Sequence, residues 1–463
     1  MPKEAPTQEI PSTEKVQTKQ INVTDFGAKP DDNKDDTVAF QQAIEQAKSQ
    51  PTELIVPEGV YDTNKTIEVT GIQHLHIKGH HAVIKPKNPM TNPPEFYAMN
   101  LSGEREKLAQ IEIEGLTIDG SKNPQDLYFT MKTAKDFYKT PMSKGFIINN
   151  TKNVNIHNVN FRHMYGGYAI HLDEYRDVNI HHINLKDVGG DDITDSFGMV
   201  VYLGGHKDDA LVNIDRVVSN AKTSKRSKEY MGWIGVVLEN GSIQSKDKSK
   251  WLKDQNTTVN VTNSTFNDYE TTFHVESTYG NVYFNSDNIK TRTKSYFIAA
   301  GINGEFLERS NQIELDLLPY GRNKIVHGVY YTEGMDPEKY NLAMYNSTVN
   351  NLEIDGKSTP ITAVYGHDTI GHFYNTTFNG VNNALVYNAS GYFKDSVINL
   401  TKNNNKDKLG VFSKSSQKLD LGNSQVNVGG SEKASNGKIP DKVKASDKPV
   451  EESKDTTAPA EIK

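Results

Sequence analysis

The sequence has no cysteine, only two tryptophans and no apolar run approaching 18 residues. Without cysteine there is no disulfide framework, no thiol nucleophile and no zinc site built on sulfur ligands. Without a long apolar run no helix is expected to span a membrane. There is no basic excess either: 52 Lys and Arg face 59 Asp and Glu, a formal net charge of −7. That balance argues against a nucleic-acid partner, whose binding surface would be dominantly basic. Met1 is followed by Pro-Lys-Glu rather than an apolar stretch, so no secretory leader is visible.

What is present is a chain of 463 residues with 34 glycines and 35% apolar residues. That length suggests two or three domains at roughly 100–200 residues each, unless the chain is a repeat array growing along one axis. Residues 1–20 are rich in Pro, Thr, Glu and Lys, and 430–463 form a charged, Pro- and Ser-containing stretch without aromatics. Neither buries enough apolar surface to offset its ordering entropy, so both are expected to be disordered tails around a folded body at 21–429.

Inside that body one word recurs. It reads Val154-Asn-Ile-His-Asn-Val-Asn-Phe161, Val178-Asn-Ile-His-His-Ile-Asn-Leu185, Val212-Asn-Ile-Asp-Arg-Val-Val-Ser219, Val259-Asn-Val-Thr-Asn-Ser-Thr-Phe266 and Val282-Tyr-Phe-Asn-Ser-Asp-Asn-Ile289. Each copy opens apolar, polar, apolar, the period-2 signature of a strand with one buried face. The starts lie 24, 34, 47 and 23 residues apart. A basal spacing near 23 with long insertions is what a parallel β-helix gives, each coil being a few short strands joined by turns. A β-sandwich is disfavoured, because its strands come every 8–12 residues and need not repeat one word. A second strand precedes each word, at Phe146–Asn149, Ile170–Asp173, Met199–Tyr202, Val236–Glu239, Phe273–Glu276 and Phe297–Ala300, with first and third residues inward.

Near the front, Val23-Thr-Asp-Phe-Gly-Ala-Lys-Pro leads to Asp35-Asp-Thr-Val-Ala-Phe40 and then to Pro57-Glu-Gly-Val-Tyr61. Asp35 or Asp36 is placed to cap a helix at about 36–48, with Phe40, Ala43, Ile44 and Ala47 as its apolar stripe. Such a helix would close the open end of a solenoid. These words and the repeats resemble the pectate-lyase-like superfamily of right-handed parallel β-helix proteins, which includes polygalacturonase-like hydrolases, rhamnogalacturonases, uronate epimerases and phage depolymerases. The fold expected is therefore all-β, a single right-handed parallel β-helix with an N-terminal capping helix. The resemblance implies a polysaccharide partner, often acidic, no nucleic acid and no membrane insertion. It also implies a monomer or homotrimer, and an extracellular, cell-surface or virion location. The polygalacturonase pattern itself is only partly present: Gly190-Asp191-Asp192 matches its middle word, while Gly166-Gly-Tyr168 and Gly232-Trp-Ile-Gly235 stand where the flanking words would be.

Coils stacked about 4.8 Å apart turn outward strand positions into ladders. The alignment predicts one column of Asn149, Asp173, Tyr202, Glu239, Glu276 and Ala300, and beside it Ile147, His171, Val200, Val237, His274 and Ile298. Asp173, Glu239 and Glu276 are the candidate catalytic carboxyls, since glycosidases place two of them about 5–5.5 Å apart when retaining and about 6.5–9.5 Å apart when inverting. His171, Tyr202 and His274 are candidates to hold substrate or relay a proton. Asp191 and Asp192, with Asp195, offer either further acid–base groups, oxygen ligands for Ca²⁺ or an ordinary Asp/Gly turn. Lys225, Arg226 and Tyr230 lie in a basic insertion suited to gripping an anionic polymer or to remaining a solvated loop, and Trp233 adjoins it as a stacking surface. No cofactor is required and no metal site is assigned; Ca²⁺ is the one ion these residues suggest. The chemistry expected is hydrolysis by a carboxylate pair, with β-elimination, uronate epimerisation and non-catalytic adhesion as the alternatives.

Overall fold

The computed structural model describes residues 16–87, 96–122, 144–165, 167–189, 198–206, 208–221, 232–243, 255–319, 328–333, 339–352, 362–381, 386–401 and 419–429. The fold is all-β, a parallel β-helix with one short α-helix near its start. Two compact units divide the described residues: an N-terminal unit up to Thr257 and a C-terminal unit from Thr258.

In the N-terminal unit the recurring word sits in register on successive coils. Val154, Val178 and Val212 align, as do Ile156, Ile180 and Ile214, and all six are buried. The fifth residue of the word, Asn158, His182 or Arg216, takes a left-handed conformation with φ of 53, 53 and 52°. That single residue bends each long strand onto the next face, and asparagine tolerates it best because its short amide bonds locally. The helix spans Thr37–Glu45, with Phe40, Ala43 and Ile44 fully buried and Ala47 buried in the 3₁₀ turn that follows. Phe40 meets Tyr61 edge to face at 5.5 Å. The carboxylate of Asp35 accepts the Thr37 amide at 3.1 Å, while Asp36 bonds the Lys29 amide at 2.9 Å, so the two acids split the capping and loop-closing roles.

The C-terminal unit replaces that aliphatic interior with aromatic rings. Phe273, Phe284 and Phe297 touch at 5.0 to 6.1 Å between centroids, Tyr330 meets Phe373 at 5.7 Å, and Phe373 meets Phe393 at 4.8 Å. Phe284 pairs with Glu308 on the next coil, which puts a carboxyl in an inward column. The repeat alignment starts this coil at Val282. The amide bonds from Asn285 to Asn260 and from Asn288 to Asn263 instead set Phe284 level with Val259, two residues later.

Candidate active site

Five parallel strands of the N-terminal unit stack to form the relevant face: Tyr97–Ser102, Lys144–Asn149, Tyr168–Asp173, Met199–Leu203 and Gly232–Leu238. Ile170 and Leu172 are buried inward, which turns His171 and Asp173 outward on alternate positions. His171 pairs with Ile147 before it and Tyr202 after it, and Tyr202 pairs with Val237. The neighbouring column runs from Asn149 to Asp173. Amide bonds from Gly204 to Leu172 and from Glu239 to Leu203, both 2.8 Å, carry it on through Gly204 to Glu239.

The repeat alignment predicts Tyr202 in the Asp173 column. It stands in the His171 column instead, because Met199–Leu203 is set two residues later: Met199 pairs with Tyr168, not Ile170. The correction moves a glycine between the two acids and brings a phenol beside the imidazole.

The imidazole, carboxyl and phenol groups of this face pair with one another. His171 Nε2 lies 2.8 Å from Asp173 Oδ2, and His171 Nδ1 lies 3.3 Å from the Tyr97 hydroxyl. Asp173 Oδ1 accepts the Gly205 amide at 3.1 Å. Tyr202 donates its hydroxyl proton to Glu239 Oε2 at 2.6 Å. Burial first, then that hydrogen bond and the Glu239 charge, push the Tyr202 phenol far above its ordinary range, so it stays a proton donor. The rings form a continuous group: Tyr202 meets His171 edge-on at 4.7 Å and Tyr168 at 4.8 Å. Trp233 packs with Tyr168 and Tyr202 around Met199, Ile234 and Val237. Lys144, 4% exposed, places Nζ 5.2 Å from the Tyr97 ring centre and 5.0 Å from that of Tyr168. A cation between two ring faces fixes both tyrosines, and through them the approach to His171.

Gly204 has a specific role. A Cβ built there would fall 1.9 Å from Asp173 Oδ1, so the Asp173 carboxylate lies across the glycine toward the coil that precedes Glu239. The Cα rows of Asp173 and Glu239 are two coils, roughly 10 Å, apart. The lean over Gly204 carries the Asp173 carboxylate toward the Glu239 coil.

Seven of the residues singled out from sequence have structural neighbourhoods that can be compared with expectation. Asp173, His171, Tyr202, Glu239 and Trp233 are brought together in the N-terminal unit. Glu276 and His274 belong to the C-terminal unit, where His274 Nε2 is 3.2 Å from Glu276 Oε2 and holds that carboxyl below its usual range. Glu239 lies in the N-terminal unit and Glu276 in the C-terminal one, and Glu239 accepts the Tyr202 hydroxyl. Asp191, Asp192, Lys225, Arg226 and Tyr230 lie outside the described residues. Among the described residues no three His, Asp or Glu side chains are placed to hold a metal ion, and no helix is long and apolar enough to cross a membrane. Tyr97, Lys144, Tyr168 and Gly204 are site residues that the repeat reading missed. The signal for Gly204 was the quartet Val201-Tyr-Leu-Gly204, which aligns with Ile170-His-Leu-Asp173 once the register is corrected.

Comparison with known proteins adds the family. Residues 20–295 match the family model described as rhamnogalacturonase A/epimerase, pectate lyase-like. The family 28 exopolygalacturonase of Yersinia enterocolitica superposes over 90% of this chain and 79% of that one, with a TM-score of 0.53 and 13% identity. The surface adhesin PfbA of Streptococcus pneumoniae superposes over 88% of this chain and 100% of that one, with a TM-score of 0.52 and 15% identity. At such identities both establish the fold alone. No curated protein sequence matches. A matched segment of this extent, on parallel coils in the register described, makes the chain a member of the rhamnogalacturonase A/epimerase, pectate-lyase-like family of right-handed parallel β-helix proteins.

Proposed function

We propose that the chain is a carbohydrate-active enzyme that hydrolyses a polysaccharide with Asp173 and Glu239 as its two carboxyls. The observation that supports this reading is the lean of Asp173 across Gly204 toward the coil before Glu239, which brings the two outward acids nearer than the roughly 10 Å of their Cα rows and toward the separations glycosidases use. Glu239, bonded by a phenol that stays protonated, is the group to take a proton from water. Asp173, 2.8 Å from the His171 imidazole, is the group to deliver a proton to the leaving oxygen. Trp233 and Tyr168 offer ring surface for sugar carbons. The family description names rhamnogalacturonase and epimerase, so a uronate-containing polymer is the first substrate class to test. Such a substrate would place the protein outside the cell or on a virion.

A second reading has its own observation. His171 is bracketed by Asp173 at 2.8 Å and the Tyr97 hydroxyl at 3.3 Å, an oriented base beside a phenol. That pair suits removal of the proton α to a uronate carboxyl, as in a lyase or epimerase. Incubation with de-esterified polygalacturonate and rhamnogalacturonan separates the two. Hydrolysis yields new reducing ends without the ultraviolet band of an unsaturated uronide; elimination yields that band, and epimerisation changes uronate composition at constant chain length. Saturable binding with none of these products identifies an adhesin and overturns the enzymatic reading.

A further inference from the structure

We propose that a buried polar bridge in the N-terminal unit joins the strand ends of Asp173 and Glu239 and fixes the separation of the two acids, with His206 and Thr257 as its positioning residues.

The bridge has two ends. At the first, the turn after Asp173 lies against the turn after Gly204. Asp173 Oδ1 accepts the Gly205 amide at 3.1 Å, and the Glu174 amide donates to the Gly205 carbonyl at 2.6 Å. The Tyr175 ring packs on the His206 imidazole with centres 4.7 Å apart, and Arg176 Nε donates to Asp208 Oδ2 at 2.9 Å. At the second end, Asn240 directly follows Glu239. Its amide donates to Thr257 Oγ1 at 3.3 Å, and Thr257 Oγ1 lies 3.1 Å from His206 Nε2. Tyr175, His206, Asn240 and Thr257 are all buried.

The proton directions make these contacts one chain. His206 Nδ1 is 2.8 Å from the Asp208 carbonyl, which can only accept, so Nδ1 carries the ring proton and Nε2 accepts the Thr257 hydroxyl. The order is therefore Asn240 to Thr257 to His206 to Asp208, each donating to the next. It requires a neutral imidazole. Burial supplies one, lowering His206 to about 4 against the opposing pull of the Asp208 carbonyl and the Asp208 and Asp209 charges. Gln255 closes this edge: its Nε2 sits 2.5 Å from Nδ1 and donates to the carbonyls of His206 at 3.0 Å and Asp208 at 3.1 Å. The Asn256 amide holds the Asp209 carboxylate at 2.8 Å.

Stability alone does not call for this cluster. A polar column that serves only the fold satisfies itself, as Asp316, Asn350, Asn379, Asn399 and Asn427 do in the C-terminal unit, each amide donating to the residue before it at 2.7 to 2.9 Å. Around His206, by contrast, the Tyr175 hydroxyl and Gln255 Oε1 are buried with no hydrogen-bond partner among the described residues. Departures of this kind from local consistency concentrate at functional sites. A directional chain of buried hydrogen bonds has one arrangement, and reacting groups need placement to within about 0.5 Å.

This inference rests on Asp173 and Glu239 being the reacting pair, so its test carries one readout that needs no turnover. Thr257→Val keeps the side-chain shape and removes the central hydroxyl; Thr257→Ser restores it. In the full chain, below the melting temperature of each variant, Thr257→Val should lower kcat on a uronate-containing polysaccharide about tenfold or more with KM within about twofold. Deuterium exchange at the Gly205 and Glu239 amides should speed up by a similar factor, and Thr257→Ser should return all three values to those of the unsubstituted chain. Should Thr257→Val not fold, Asn240→Ala cuts the Glu239 end and should lower kcat in the same way. Unchanged kcat in a folded Thr257→Val or Asn240→Ala overturns the proposal, as does unchanged exchange at both amides or a Thr257→Ser variant as impaired as Thr257→Val. Absence of products from the unsubstituted chain overturns the hydrolytic reading instead, and the exchange rates still decide whether the bridge holds the two strand ends.

Discussion

The carboxylate of Asp173 occupies the space that any side chain at position 204 would need: a Cβ there would fall 1.9 Å from its Oδ1. The acid reaches toward Glu239 only because Gly204 is a glycine. Gly204→Ala should push Asp173 back along its column while disturbing little else, since the displaced atom is the end of a flexible side chain. A misplacement of about 1 Å is worth roughly 10²-fold in turnover. Steady-state kinetics should show kcat reduced by about that factor with KM little changed and the melting temperature nearly constant.

Tyr202→Phe removes one oxygen, and with it the 2.6 Å bond to Glu239. The ring contacts with His171 and Tyr168 remain. A hydrogen bond to a charged group contributes about 1.5–3 kcal/mol, so kcat/KM should fall by roughly 10- to 100-fold. Binding of uncleaved oligosaccharide, followed by fluorescence, should change much less.

Glu308 links pH to the stability of the C-terminal unit. It is fully buried, and burial raises its carboxyl to about 7 despite bonds from the Tyr330 hydroxyl at 2.6 Å and from Ser310. A folded-state value above the unfolded one means that the stabilising contribution is complete below about pH 4.5 and is lost as pH rises through 7. The shift corresponds to about 3 kcal/mol. Denaturant melts at pH 4.5 and 7.5 should show the loss in the unsubstituted protein and a smaller difference between the two pH values in Glu308→Gln.

The ladder from Asp316 to Asn427 should respond by position. Asn379→Ala breaks two amide bonds, to Asn350 and from Asn399, whereas Asn427→Ala breaks one in the column. At about 0.5–1.5 kcal/mol per bond, the interior change should destabilise by about 1–3 kcal/mol and the terminal one by about half that. Equilibrium unfolding of both variants measures the ratio.

Much of the solenoid was legible because its inward positions repeat. Val154, Val178 and Val212 announce the coils, and the helix stripe Phe40, Ala43, Ile44 announces the cap. The site was legible only in part. A two-residue slip of a strand leaves alternation intact, so hydrophobic pattern alone cannot distinguish Met199 beside Ile170 from Met199 beside Tyr168. That ambiguity hid Gly204 and misplaced Tyr202. Tyr97, Lys144 and Tyr168 come from three coils and carry no shared word, and Glu308 looks like an outward residue until its pairing with Phe284 is known.

The most direct measurement of the central claim is release of reducing ends from uronate-containing polysaccharide by the unsubstituted chain and by Asp173→Asn and Glu239→Gln singly. The account predicts turnover in the first and a loss of at least about 10³-fold in each of the others, all three melting alike, which is the size of effect expected when a reacting group is removed. Full turnover in either variant would contradict it.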